Sequence, residues 1–216
     1  MKRYCGFIFD LDGTLADTSA GIMRSVVHTL NTLQIPLPSQ KILRTFIGPP
    51  IYESFQIHCG MSPVSALKAT DIFREHYGNE HLFDAEVYSE IPDLLDFLHN
   101  HKLQAMVATN KRTDHATALL QYLELAKYFK IICGSDAACR LKKADVIRNA
   151  YHASATAPER CVMIGDTKSD ADGALANNID FIGVTYGFGF SPSGVYPDFT
   201  VCHSPKELLS KIKAVL

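Results

Sequence analysis

The sequence predicts an α/β protein: a Rossmann-like, doubly wound parallel sheet with an all-helical module inserted after its first strand. Short β-rich apolar runs recur along the chain, helix-period segments fall between most of them, and the strand pattern disappears from about residue 15 to residue 82. Strand–helix alternation is what a parallel sheet requires, because each parallel neighbour needs a crossover that a helix can fill while covering one face.

Residues 4–9 form the first strand. Met1-Lys2-Arg3 places positive charge ahead of it, but Asp10 follows too early for a signal-peptide core, so a cytoplasmic protein is expected. Within the insert, Ile22, Val26, Leu30 and Leu33 repeat at helical spacing over 21–33, and further helices are expected at 41–46 and 65–76. Pro36, Pro38, Pro49, Pro50 and Pro63 punctuate them, since proline removes a donor and clashes inside a helix. The chain returns to the core near 83–87. Helices at 93–101, 115–126, 144–152 and 171–177 then alternate with strands at 104–109, 130–133, 161–165 and 181–184. A last strand spans 199–202, and 178–180 and 187–197 read as loops. The expected division is a core of residues 1–14 and 83–216 and a helical insert of residues 15–82.

At 216 residues, 47% apolar and 20% charged, the chain is an ordinary globular protein with a core to bury. A formal charge of −2 offers no basic field for nucleic acid or an anionic membrane surface. No apolar run approaches the roughly 20 residues of a membrane-spanning helix. The six cysteines lack C-x-x-C spacing and read as buried free thiols. The nine histidines lack helix-face pairing, which argues against zinc. Small-molecule chemistry is the remaining default, with no nucleic-acid or membrane partner and a monomer or homodimer expected.

Ligands in parallel α/β sheets bind beyond the carboxyl ends of the strands. Asp10-Leu11-Asp12-Gly13-Thr14 follows the first strand, Thr109-Asn110-Lys111 the second, and Gly165-Asp166-Thr167-Lys168-Ser169-Asp170 the fourth. Any one aspartate could simply cap a turn or helix. The D-x-D-G-T run, however, arises by chance in on the order of one chain of this length per thousand. Asp10, Asp12, Asp166 and Asp170 would repel one another if gathered bare, and hard carboxylate oxygens suit Mg²⁺. With acids at i and i+2, Asp10 can attack phosphorus as nucleophile while Asp12 protonates the leaving alcohol and then activates water. Gly13 permits the turn. Thr109, Asn110 and a lysine from Lys142-Lys143 can stabilise charge on the transferring oxygens.

This ordered set, with Lys143, resembles the haloacid dehalogenase superfamily over essentially the whole chain. Phe46-Ile47-Gly48-Pro49-Pro50, Thr109-Asn110-Lys111 and the run from Gly183 to Gly189 are similar to its phosphoglycolate phosphatase-like branch. The resemblance implies catalysis by Asp10, Asp12, Thr109 and Lys143, and substrate contacts from Gly13, Thr14, Gly48 and Asn110. It implies Mg²⁺ at Asp10, Asp12 (including its backbone carbonyl), Asp166 and Asp170. Lys143 is preferred to Lys142 because the 143–147 run resembles the family's lysine-led helix start, although the usual Lys-Pro pair is absent. The resemblance also implies that the insert is a cap that opens and closes. Asp17 is expected to cap the first cap helix.

Dehalogenases lack the second aspartate, so a Mg²⁺-dependent phosphatase of a small phosphate ester such as phosphoglycolate is expected. A pyrophosphatase, a phosphomutase or an inactive binding or regulatory module are the alternatives. On the cap, Lys41 or Arg44 could meet a substrate carboxylate, unless both are solvent-exposed helix charges.

Overall fold

The Phe7-Ile8-Phe9 run at the centre of the chain's first strand has no polar alternation, which a strand can carry only where both sheet faces are covered. The computed structural model describes residues 4–214, so the Met1-Lys2-Arg3 charges lie outside the described residues. The strands in chain order are β1 (Gly6–Phe9), β2 (Ala16–Asp17), β3 (Glu86–Val87), β4 (Gln104–Arg112), β5 (Phe129–Ser135), β6 (Cys161–Gly165), β7 (Asp180–Val184) and β8 (Thr200–Cys202). The helices are α1 (Ser19–Thr32), α2 (Gln40–Arg44), α3 (Ile51–Cys59), α4 (Pro63–His76), α5 (Ile91–Asn100), α6 (Thr113–Tyr122), α7 (Lys143–Ser154), α8 (Lys168–Ala176) and α9 (Pro205–Ala214).

Six strands form one sheet in the order β5-β4-β1-β6-β7-β8, and every pairing in it is parallel. β1 lies at the reversal of winding between β4 and β6, the crevice where open α/β sheets hold their ligands. Alternate residues of one strand feed opposite layers, as a period of two requires. Phe7 and Phe9 join Leu94, Leu95, Leu98, Leu119 and Leu208 from α5, α6 and α9 on one face. Ile8, Met106 and Met163 join Val146, Ile147 and Ala150 from α7 on the other. Both faces are therefore sealed, and the polar residues that end the strands are confined to the edge.

Helices α1–α4 lie between β1 and α5 in sequence. Two elements there depart from the sequence expectation. Pro49-Pro50 do punctuate the helices, but α3, which starts directly after Pro50 at its N-cap, is a helix the sequence does not predict. The short antiparallel pairing of β2 with β3, Ala16 to Val87 and Asp17 to Glu86, joins the two passages flanking the helices. Two-residue strands leave no periodicity to read. A π-helical turn, Tyr77–His81, extends α4. The sequence also left α9 unassigned, and its start is fixed by Ser204 and Glu207: Ser204 Oγ accepts from the Glu207 N–H at 3.2 Å, and Glu207 accepts from the His203 N–H at 2.7 Å. The expected helix at 115–126 is divided into α6 and a separate 3₁₀ turn at Ala126–Tyr128.

All six cysteines are free; Cys161 and Cys202 are buried and the other four only half-buried. Among the described residues no helix is long and apolar enough to cross a membrane.

Candidate active site

β1 ends at Phe9, but the Asp10 N–H still donates to Ile164 O at 2.9 Å, so its backbone stays in line with the sheet. The chain then folds back, with the Leu15 and Ala16 N–H groups both donating to Leu11 O. Gly13 takes φ +84° in this turn, and a Cβ there would strike the Asp166 carboxylate. Only glycine lets the β1 loop approach the β6 loop so closely.

Lys143 opens α7, and its Nζ donates to Asp10 Oδ1 at 2.6 Å. It also lies 2.7 Å from Asp170 Oδ1. Both side chains of the Lys143–Asp10 pair are only 3% exposed. Asp170 is held by the start of α8: its Oδ2 accepts from the Thr167 N–H at 3.0 Å and the Thr167 hydroxyl at 2.6 Å, a reciprocal cap. Asp170 Oδ1 is buried without an aligned hydrogen bond, so its approach to Lys143 is an ionic contact only. Asp166 Oδ2 accepts from the N–H groups of Phe188 at 2.7 Å and Gly189 at 3.3 Å. The Thr14 hydroxyl stands 3.5 Å from Asp166 Oδ1.

One oxygen each of Asp10, Asp166 and Asp170 can be chosen so that all three lie within 4.8 Å of one another, and all three residues are buried. Burial pushes the Asp10 carboxyl up to about 7, against the lowering effect of Lys143 and with the Asp170 and Asp12 charges adding to the rise. Burial, then Asp170 and Asp10, push Asp166 well above the carboxylate range. Three carboxylates against one ammonium leave two negative charges when all are ionised. That excess and the hard oxygen donors fit one Mg²⁺.

Of the four aspartates gathered from the sequence, Asp12 alone keeps its carboxylate outside this cluster, while its backbone carbonyl is the ligand the resemblance implies. Asp12 Oδ1 instead accepts from Thr18 Oγ1 at 2.6 Å and lies 3.0 Å from Lys111 Nζ. The chain leaves the strand and folds back after Asp10, so the period of two no longer holds there and the i and i+2 acids meet different partners.

At the end of β4 the burial alternates, with Thr109 and Lys111 buried and Asn110 and Arg112 less so. Thr109 Oγ1 accepts from the Lys111 N–H at 3.2 Å, which leaves its own proton to donate. Asn110 Nδ2 donates to Gly48 O at 3.0 Å, tying the Gly48-Pro49-Pro50 turn to the sheet edge; Gly48 sits at φ +97°. A cavity of about 250 Å³ flanks Asp12, walled by Gly48, Asn110, Lys111, Phe73, Tyr77 and Arg74. Lys41 and Arg44 are exposed on α2 and do not line it. Lys142 lines the cavity, whereas Lys143 contacts Asp10. Asp17 Oδ1 accepts from the Ser19 N–H at 2.9 Å, at the start of α1.

Three parts of the site carried no role in the sequence reading: Lys111, Tyr77 and the N–H groups of Phe188 and Gly189. Lys111 was legible in principle, two residues after Thr109 on a strand and hence on the same face. Tyr77 was not, because only the fold brings it to Lys111.

The family model described as haloacid dehalogenase-like hydrolase matches residues 7–184. A 5'-nucleotidase of Pseudomonas aeruginosa is 37% identical over 188 residues, 87% of this chain and 85% of that protein. The tyrosine-protein kinase PtkA of Mycobacterium tuberculosis is 34% identical over 84% of this chain, which spans 62% of that relative's length. A phosphoglycolate phosphatase of Salmonella typhi is 26% identical over 92% of this chain and 91% of that protein. The crystal structure of a predicted phosphatase from Clostridium acetobutylicum superposes with a TM-score of 0.91 at 36% identity, covering 98% of this chain and 99% of that one.

Proposed function

The chain belongs to the haloacid dehalogenase-like hydrolase family and is a phosphatase of it; from that premise we propose a Mg²⁺-dependent enzyme acting through a phosphoryl group on Asp10. Its substrate is a small phosphomonoester, with phosphoglycolate the first candidate, and it works in the cytoplasm as a monomer or homodimer. The observation that supports this most is the meeting of Asp10, Lys143, Asp166 and Asp170 at the carboxyl edge beside β1.

In this reading Asp10 forms a bond to phosphorus as the ester oxygen departs. Asp12 gives its proton to that oxygen, then takes one from the water that attacks phosphorus and frees Asp10. Lys143 orients Asp10 and balances charge on the transferring oxygens, helped by the Thr109 hydroxyl and the backbone beside Asn110. Thr14 and Gly13 hold the Asp166 side of the pocket. Asp10, Asp166 and Asp170 would hold Mg²⁺, with the Asp12 backbone carbonyl, and the ion when bound neutralises charge on the phosphoryl oxygens. The insert, residues 15–82, serves as the cap, and its Gly48 turn walls the leaving-group side of the cavity and excludes water.

A panel of phosphoglycolate, sugar phosphates, nucleoside monophosphates and pyrophosphate, assayed with Mg²⁺ and with chelator, tests this. Metal-dependent release of free phosphate from esters is the expected result. Preference for pyrophosphate, or phosphoryl return to substrate without net release, would favour the pyrophosphatase or phosphomutase reading instead.

A further inference from the structure

Two buried lysines serve the two aspartates of the β1 loop, and they differ in what surrounds them. The Lys143 ammonium pairs with the carboxylates of Asp10 and Asp170. Lys111 Nζ lies 3.0 Å from Asp12 Oδ1 but also donates to Tyr77 Oη at 2.9 Å and sits 4.5 Å from the centre of the Tyr77 ring. Tyr77 belongs to the π-helical turn that extends α4, so the Lys111 ammonium is completed by a residue of the helical insert. Lys111, Asp12 and Tyr77 are all buried, which makes each partner costly to lose.

The hydrogen bonds at Asp12 are one-sided. Thr18 and Lys111 both engage Oδ1, and among the described residues no hydrogen bond reaches Oδ2. Asp12 lines the cavity where a leaving group would sit. Three residues before Tyr77, Arg74 of α4 donates to Ala137 O at 2.7 Å and Asp136 O at 3.2 Å, in the segment between β5 and α7. Positions i and i+3 share a helix face, so one end of α4 grips both β4 and the approach to α7.

We propose that Lys111 and Tyr77 are positioning residues that tie the orientation of Asp12 to the docked insert. With the insert docked, Lys111 and Thr18 pin Oδ1 and leave Oδ2 to pass its proton to the leaving oxygen as the oxygen–phosphorus bond breaks. Displacing the insert removes the hydroxyl and ring that complete the Lys111 ammonium, and Asp12 loses its fixed direction. The inference rests on the reading of Asp12 as the acid that protonates the leaving group.

Leaving groups separate this from a merely structural role. Glycerol 2-phosphate releases an alkoxide that needs the proton, whereas p-nitrophenyl phosphate releases a stabilised aryloxide that needs it little. We expect Lys111→Met to lower kcat/KM on glycerol 2-phosphate about tenfold more than on p-nitrophenyl phosphate, part of the ~10²–10⁴-fold that general acid catalysis supplies. Tyr77→Phe, which removes one oxygen atom, should shift the ratio the same way by less. Equal losses on both substrates, or an unchanged ratio, would overturn the positioning role while leaving the phosphatase reading intact. If Lys111→Met does not fold, the ratio for Tyr77→Phe decides alone. A wild-type protein that frees no phosphate from either ester with Mg²⁺ would overturn the reading of the reaction, and this inference with it.

Discussion

The Asp10 side and the Asp12 side of the site solve one problem, a buried carboxylate beside a buried lysine, in different ways. Around Asp10 stand Lys143 from α7, Asp170 from α8 and Asp166 from the loop after β6. Around Asp12 the partners Thr18 and Tyr77 precede and follow the insert's helices, and only Lys111 comes from the sheet. The difference teaches a division of labour. In the proposed mechanism, atoms that address the phosphoryl group are fixed by the sheet edge, while atoms that address the leaving group depend on contacts with the helices of residues 15–82.

Substitutions can break that comparison at several strengths. The largest effect is expected from Asp10→Asn, which should reduce turnover to background while the circular dichroism spectrum stays native; activity above a few per cent would reassign the nucleophile. Lys143→Ala should lose roughly 3–4 kcal/mol of transition-state stabilisation, about 10²–10³ in kcat/KM, on alkyl and aryl esters alike. That uniform loss contrasts with the leaving-group dependence expected of Lys111→Met.

Mg²⁺ should raise the melting temperature of the native protein, by the equivalent of about 2.7 kcal/mol at a hundredfold excess over Kd. In Asp166→Asn, calorimetry should find that rise largely gone. An undiminished rise would move the ion away from this cluster. The smallest effect is expected from Lys142→Ala, within about 0.5 kcal/mol in activity and stability. If it proves more damaging than Lys143→Ala, the two lysines exchange roles.

The core was legible because its strands are buried on both faces and write that burial as unbroken apolar runs, as in Phe7-Ile8-Phe9 and Val162-Met163-Ile164. The core side of the site was legible for a related reason: residues that end parallel strands are brought to one edge by the topology itself. The ends of β1 and β6, neighbours in the sheet, accordingly place Asp10 and Asp166 together. The insert was read less well. The prolines before α3 signal a helix start as readily as a stop, and the paired residues of β2 and β3 are too few to show a period. Ser204-Pro205-Lys206-Glu207 did carry the spacing of a helix start for α9. The direction of the Asp12 side chain was beyond reach, because it depends on Lys111 and through it on Tyr77, 34 residues away in sequence from Lys111.

The destination of the phosphoryl group tests the chemistry proposed at Asp10 most directly. Asp12→Asn protein, mixed with Mg²⁺ and with p-nitrophenyl phosphate, whose aryloxide departs with little need of the Asp12 proton, then quenched in acid and mapped by peptide mass, should carry phosphate on the peptide containing Asp10 and none in the presence of chelator. Phosphate on a different residue, or undiminished steady turnover by Asp10→Asn, would contradict it.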